Sequence, residues 1–343
     1  MSLPLSSALA VLNESLDGTA REDRISAHLA EVESLLDEDM GALEAALLAA
    51  VCDGPAPATD AARHLITLGG KRVRPLALLL SAACFGPVPP AARELAVVAE
   101  LVHSATLLHD DVVDDGMERR GAPAARRVWG NAISVLAGDL LLAHALGRTF
   151  AAAPDAMPDL IATLRRLVDG EVVQLRGRQR LDLSEATYER VLRDKTASLF
   201  AWSTRAGARL GSATPSQQDA LASFGERLGT AFQLVDDVLD YTGEATGKTL
   251  LADLGDGKVT LPLVLAVRRR PDLEAEVRRI QAGDALGLPR VRRAVVESGA
   301  CDEVRLRARQ ATEAAVAVLV DVPRGAARAL LEGVATELVD RVT

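Results

Sequence analysis

Six aspartates define the chemistry open to this chain. Asp110, Asp111 and Asp114 form one Asp-Asp-x-x-Asp cluster, and Asp236, Asp237 and Asp240 form another. Each closes an apolar helical run, Leu107-Leu108 before the first and Leu234-Val235 before the second, and a glycine follows shortly after each, Gly116 and Gly243. Helical residues four apart stack about 6 Å along the axis, so Asp110 shares a face with Asp114, and Asp236 with Asp240. The middle members, Asp111 and Asp237, lie about 100° round. Carboxylates crowded on one face repel, which calls for a cation. Clustered hard oxygen ligands suit Mg²⁺, which keeps waters and takes one or two carboxylates plus phosphate oxygens of a substrate. A solvated helix end would explain one such cluster; two, each behind an apolar run, point to a site. A ferritin-like centre needs two Glu-x-x-His pairs, and the chain has one, Glu100 and His103.

Magnesium-bound carboxylates imply a polyanion, and separate cations are present for it. Gly69-Gly70-Lys71-Arg72-Val73-Arg74-Pro75 opens an apolar helix, where backbone N–H groups, Lys71 and Arg74 can meet a phosphate. Arg119-Arg120-Gly121 follows the first cluster, Lys195-Thr196 ends a charged helical stretch, and Gly247-Lys248 and Gly257-Lys258 follow the second cluster. Any one is an ordinary surface cation; their recurrence beside the aspartates carries the weight. Gly247-Lys248-Thr249 is not a P-loop, since Thr242 stands where its first glycine belongs and no strand precedes it. No Ser/His/Asp or Cys/His arrangement supplies a nucleophile.

The elements that position these groups read as helices. Ala, Leu, Arg and Glu dominate, apolar residues recur at three- and four-residue spacing, as in Ile25, Leu29, Val32, Leu35 and Leu36, and alternating strand-type runs are nearly absent. Turns are expected at Gly54–Pro57, Gly69–Gly70, Gly86–Pro90, Pro154–Pro158, Gly211–Pro215 and Gly283–Pro289. The expectation is a frayed extension over 1–22 and a single all-α domain over 23–343, its last third amphipathic and without chemistry. With 343 residues and 49% apolar content the core is large, but only 3% are aromatic, so Leu, Ala and Val must build it. A net charge of -9 disfavours a non-specific nucleic-acid partner. Cys52, Cys84 and Cys301 form no CxxC and read as buried or semi-buried reduced thiols. No signal peptide is evident, and the longest uncharged stretch, Pro75 to Ala92, is broken by Gly86, Pro87, Pro89 and Pro90, so no transmembrane segment is expected and the location is read as cytoplasmic.

The motifs resemble, in order, those of the trans-isoprenyl diphosphate synthases, or polyprenyl synthases. The likeness runs from about Gly69 to Pro262 and comprises Gly70–Pro75, His103 through Asp114, Arg119-Arg120-Gly121, Gly138-Asp139, Gly170 to Leu175, Lys195-Thr196, Gly229 with Phe232 through Asp240, and Gly257 to Pro262. The resemblance implies an all-α bundle around a deep central cavity, of isoprenoid synthase type, usually a homodimer. It implies that Asp110, Asp114, Asp236 and Asp240 hold Mg²⁺, about three ions per active site, with Asp111 and Asp237 supporting and Lys195 and Lys258 also catalytic. Arg119, Lys195, Thr196, Gln233, Lys248 and Lys258 would contact the allylic diphosphate; Lys71, Arg74, His103 and Arg120 would hold isopentenyl diphosphate. On its residues alone, His103 reads as a core histidine; the motif reverses that, and His109 stays ambiguous. Leu251 departs from the pattern, standing where the family usually has glycine.

In such enzymes, metal ions and cations stabilise departing pyrophosphate, and the double bond of isopentenyl diphosphate attacks the allylic cation. Upstream of Asp110, the resemblance makes Thr106, Ala105 and Val102 the chain-length positions. All are small, and the helix from Ile133 to Ala145 adds no aromatic floor. The segment His103 to His109 looks most like the long-chain, octaprenyl-type synthases, so the resemblance implies a product of about C35 to C45, with geranylgeranyl or farnesyl diphosphate as alternatives. Such a product makes peripheral membrane contact at release reasonable. Terpene cyclases share the fold but need no isopentenyl diphosphate site, which Lys71, Arg74, Arg119 and Arg120 argue for. Non-catalytic subunits of hetero-oligomeric synthases usually lose one Asp cluster, and this chain keeps both.

Overall fold

The structure, a computed structural model, describes residues 36–243 and 251–340. The expected extension over 1–22 lies outside the described residues, as does Lys248. Among the described residues the only strands are Glu118–Arg119 and Ala122–Pro123, an antiparallel pair. Everything else regular is helix, as the periodicity predicts. The chain divides into two compact units, each assembled from separate stretches of sequence.

The first unit takes the chain up to Ile161, together with Ala201–Ala222 and Leu319–Val334. Its spine is the 24-residue helix Pro90–Val113. Pro90 suits the first turn, where its missing N–H costs nothing. Leu95, Val98, Leu101, Val102, Ala105 and Leu108 are all fully buried, so this helix is enclosed nearly all round. Small residues let its neighbours approach closely. At Gly138, on helix Asn131–Ala152, a Cβ would stand 2.6 Å from Cδ2 of His109. At Gly207 a Cβ would meet Ser81 at 3.0 Å. Close packing of glycine and alanine replaces the aromatic bulk the composition lacks. Helix Asn131–Ala152 is, by length and composition, apolar enough to cross a membrane, a stretch that the reading of Pro75–Ala92 passed over. It carries Asp139, His144 and Arg148, and its Ser134 hydroxyl donates to the Leu108 carbonyl at 2.9 Å.

The second unit comprises Ala162–Phe200, Ser223–Val318 and the chain from Ala335. Its core gathers Tyr188, Leu192, Ala231, Val235, Val238, Tyr241, Leu263, Leu265, Val277, Val291, Val295 and Val304. Helix Leu261–Arg269 is buried from Leu261 through Val267 and forms its centre. Helices Leu273–Gln281, Leu288–Glu297 and Ala300–Ala317 each bury one stripe, as their amphipathic pattern predicts.

Two expectations, on Lys195-Thr196 and on Cys52, are corrected, and one element is new. Lys195-Thr196 does not end a helix: a π-helical turn, Leu192–Ala197, carries the chain directly into Ser198–Leu210. The segment 118–123 forms a hairpin, because Arg120 (φ 54°) and Gly121 (φ 76°) both take left-handed conformations that suit a two-residue turn. Cys52 is exposed, whereas Cys84 is partly buried and Cys301 buried.

Candidate active site

In the first unit, the apolar face of Pro90–Val113 fixes the rotation of the first cluster. Asp111 is 1% exposed and turns inward, while Asp110 and Asp114 are only partly buried. Arg119 grips Asp111 through Nε at 3.0 Å and through Nη2. Burial pushes the Asp111 carboxyl above its ordinary range, and the Arg119 guanidinium opposes that rise. The helix closes with Asp114 N–H donating to the Asp110 carbonyl and Gly116 N–H to the Asp111 carbonyl, both at 2.8 Å. His109 approaches the Val135 carbonyl at 3.1 Å and Asp139 at 3.4 Å, tying the end of the helix to Asn131–Ala152.

Cations gather one turn further back. Burial, then the charges of Arg74, Arg120, Arg119 and Arg72, hold the His103 imidazole well below its usual pKa and keep it neutral. Burial likewise lowers the Arg120 pKa, offset by Glu100. A neutral imidazole ringed by guanidinium groups favours an anion. Lys71 and Arg74 flank Arg72 on the turn that starts helix Val73–Ala83. Arg72 itself points into the protein, onto Glu44 and Glu100. Val102 and Ala105 are fully buried, and the partly buried Thr106 donates its hydroxyl proton to the His103 carbonyl at 2.7 Å.

In the second unit, the other cluster repeats the same arrangement. Asp237 is 2% exposed and turns inward, while Asp236 and Asp240 are partly buried. Asp237 accepts from Tyr188 Oη at 2.7 Å, Gln233 Nε2 at 2.8 Å and Leu261 N at 3.3 Å. Burial pushes its carboxyl up to about 7, against those three donors. The Thr196 hydroxyl donates to Gln233 Oε1 at 3.1 Å, so Thr196, Gln233 and Asp237 form one chain. Lys195 rises from the π-helical turn, a local widening that recurs at functional positions. It pairs with Glu171 and donates to Gln174 Oε1 at 2.8 Å. Gly170 permits this, since a Cβ there would stand 2.7 Å from Lys195 N. Lys258 lies 3.7 Å from Asp253 and 3.6 Å from Asp256. Leu251 adopts φ 63°, a conformation glycine takes at little cost; its buried side chain and its N–H, 3.1 Å from the Asp240 carbonyl, hold it there.

Among the described residues no group of three or more His, Cys, Asp or Glu side chains converges as a complete metal cage. Each cluster instead presents a pair of partly buried carboxylates on one helical face. That donor set fits Mg²⁺, which completes its shell with water and phosphate oxygens. Sequence reasoning missed the Arg72–Glu44–Glu100 group and Tyr188. Arg72 has no role in the sequence reading, which gives Lys71 and Arg74 of that run to a phosphate, and Tyr188 meets Asp237 only through the fold.

The polyprenyl synthetase family profile matches residues 56–295. The chain is 34% identical to the all-trans-nonaprenyl-diphosphate synthase (geranyl-diphosphate specific) of Rhodobacter capsulatus over 315 residues, 89% of this chain and 95% of that protein. It is 34% identical to the octaprenyl diphosphate synthase of Escherichia coli, over 92% of this chain and 99% of the relative. The crystal structure of a Caulobacter crescentus polyprenyl synthase, complexed with calcium and isoprenyl diphosphate, superposes with a TM-score of 0.86 at 36% identity, covering 92% of this chain and 98% of that one.

Proposed function

The chain belongs to the polyprenyl synthetase family and is a trans-prenyltransferase; from that premise we propose that it uses Mg²⁺ to condense isopentenyl diphosphate head-to-tail with an allylic diphosphate, building an all-trans polyprenyl diphosphate of about C35 to C45. The observation that carries this reading is the repeated geometry of the clusters. In each, the middle aspartate is pinned inward and the outer pair is left on one face. A solvated helix end needs no such pinning.

In this reading Asp110 and Asp114 would hold Mg²⁺ in the first unit, and Asp236 with Asp240 in the second, for the allylic diphosphate. When bound, the metal neutralises charge that develops on the departing pyrophosphate. Asp111 and Asp237 hold the outer carboxylates in place. Arg119, Lys195, Thr196, Gln233, Lys248 and Lys258 contact the allylic diphosphate, and Lys195 exchanges its partner Glu171 for phosphate oxygens. Lys71, Arg74, Arg120 and neutral His103 receive isopentenyl diphosphate. Val102, Ala105 and Thr106 are small and lie at the helix positions where bulk would stop the growing chain. The names of the long-chain relatives favour the same product class.

A homodimer suits the surface. On helix Asn131–Ala152, Val135 (38%), Leu136 (55%) and Phe150 (70%) are exposed, and a second copy would cover that apolar face. On this reading the helix forms an interface rather than a span of bilayer. The enzyme is read as one functional domain, cytoplasmic, meeting the membrane peripherally at product release. The test is to supply labelled isopentenyl diphosphate, farnesyl diphosphate and Mg²⁺, then size the products. Products of about C35 to C45 are expected. A geranylgeranyl limit would move the chain to the short-chain class, and no incorporation would refute elongation.

A further inference from the structure

Arg72 stands between Lys71 and Arg74, the two cations given above to isopentenyl diphosphate, yet its side chain is buried while theirs are only partly so. Its guanidinium is 3% exposed. Nε donates to Glu44 Oε1 at 2.7 Å, Nη1 to Glu100 Oε1 at 2.5 Å, and Nη2 to Glu44 Oε2 and the Ile66 carbonyl, each at 3.3 Å. Glu100 is itself 3% exposed. The planar fork of arginine fits this arrangement, and a lysine could meet only part of it. Burial works to lower the Arg72 pKa, but Glu100 and Glu44 outweigh it and hold the group above the ordinary arginine range.

The backbone pays for this arrangement. Arg72 adopts φ 45°, a left-handed conformation that bulky L-residues rarely take, and it does so at the residue that starts helix Val73–Ala83. The buried ion group holds the residue there by fixing the guanidinium end of its side chain. Gly70 lies against the same group: a Cβ there would stand 2.8 Å from Arg72 Nη1 and 3.2 Å from both terminal nitrogens of Arg120. The guanidinium groups of Arg72 and Arg120 therefore border one glycine. Their repulsion is offset by Glu100, whose charge acts on both.

We propose that Arg72, clamped by Glu44 and Glu100, is a positioning residue: it sets the Gly69–Arg74 turn, and with it Gly70, against which the Arg120 guanidinium lies, in the geometry that receives isopentenyl diphosphate. The inference rests on the assignment of Lys71, Arg74 and Arg120 to that substrate. Arg72 acts on the substrate only through the strained turn and the glycine it borders with Arg120.

The test compares steady-state kinetics of Arg72→Lys and Glu100→Gln with wild type, varying each substrate in turn. Both variants keep a hydrogen-bonding group at the buried position, and thermal unfolding monitors the fold. The expected result is a KM for isopentenyl diphosphate raised at least about tenfold, with the allylic KM and the saturating kcat within about twofold. Lys71→Ala and Arg74→Ala separate the two claims. If they also raise that KM while Arg72→Lys and Glu100→Gln leave it unchanged, the positioning role is overturned and the substrate assignment stands. If they leave it unchanged, the assignment fails first. Should Arg72→Lys not fold, a triple variant Arg72→Met/Glu44→Gln/Glu100→Gln removes the buried charges together, and an unaltered KM in it overturns the proposal.

Discussion

Replacing Tyr188 by phenylalanine removes one oxygen from the second cluster's support. Asp237 would keep Gln233 Nε2 at 2.8 Å and Leu261 N at 3.3 Å, and lose its shortest donor, Tyr188 Oη at 2.7 Å. A hydrogen bond to an ionised partner is worth about 1.5–3 kcal/mol and one to a neutral partner about 0.5–1.5 kcal/mol. The cost therefore depends on the charge of Asp237. Burial raises its folded pKa from the ordinary 3.8 to about 7, so the folded protein keeps a proton that the unfolded chain has lost. Stability contributed by that proton is complete below about 3.8 and falls away as pH rises through about 7. Losing the Tyr188 donor raises the folded pKa further and extends the decline upward. Tyr188→Phe should cost about 1 kcal/mol near pH 5.5, and about 2–3 kcal/mol near pH 8.5. Urea unfolding followed by circular dichroism, without added metal, measures both. An equal loss at the two pH values would refute the reasoning, since Asp237 would then not change charge against the phenol.

Gly138→Ala places a methyl group 2.6 Å from Cδ2 of His109, so the imidazole beside Asp110 must turn away from the Val135 carbonyl and Asp139; kcat should fall severalfold, and Gly147→Ala, on the same helix with nothing within 4 Å, should leave it unchanged. At pH 8 a thiol reagent should modify Cys52 rapidly in the native protein and reach Cys84 and Cys301 only on unfolding, because burial pushes their thiols up to about 12 and about 11. Ala105→Phe should shorten the product, read by chromatography of the dephosphorylated chains, and should cost about 1–3 kcal/mol from overpacking a fully buried position.

What was legible in the sequence is what repeats or follows a helical period. The Asp clusters lie on helices, and the three-and-four spacing that placed Asp110 with Asp114 also predicts Asp111 turned away. The cations of the Gly69 turn were visible as a group, but not that Arg72 faces inward, because lysine and arginine in one run look alike until burial separates them. The hairpin carrying Arg119 and Arg120 is too short for any alternating pattern. The π-helical turn under Lys195 leaves no compositional trace; it lies where the backbone packs closely on Gly170. Leu251 was noted as a departure, and its buried side chain gives the physical reason that a left-handed leucine is tolerated.

The proposed function stands on the outer carboxylates of both clusters binding metal together with a diphosphate. Counting bound Mn²⁺ by electron paramagnetic resonance, with and without an unreactive allylic thiodiphosphate, tests it most directly. Wild type should take up about three ions cooperatively with the analogue, while Asp110→Asn and Asp236→Asn should each bind fewer and weaken the analogue. Full metal uptake by both variants, at wild-type affinity, would contradict the claim.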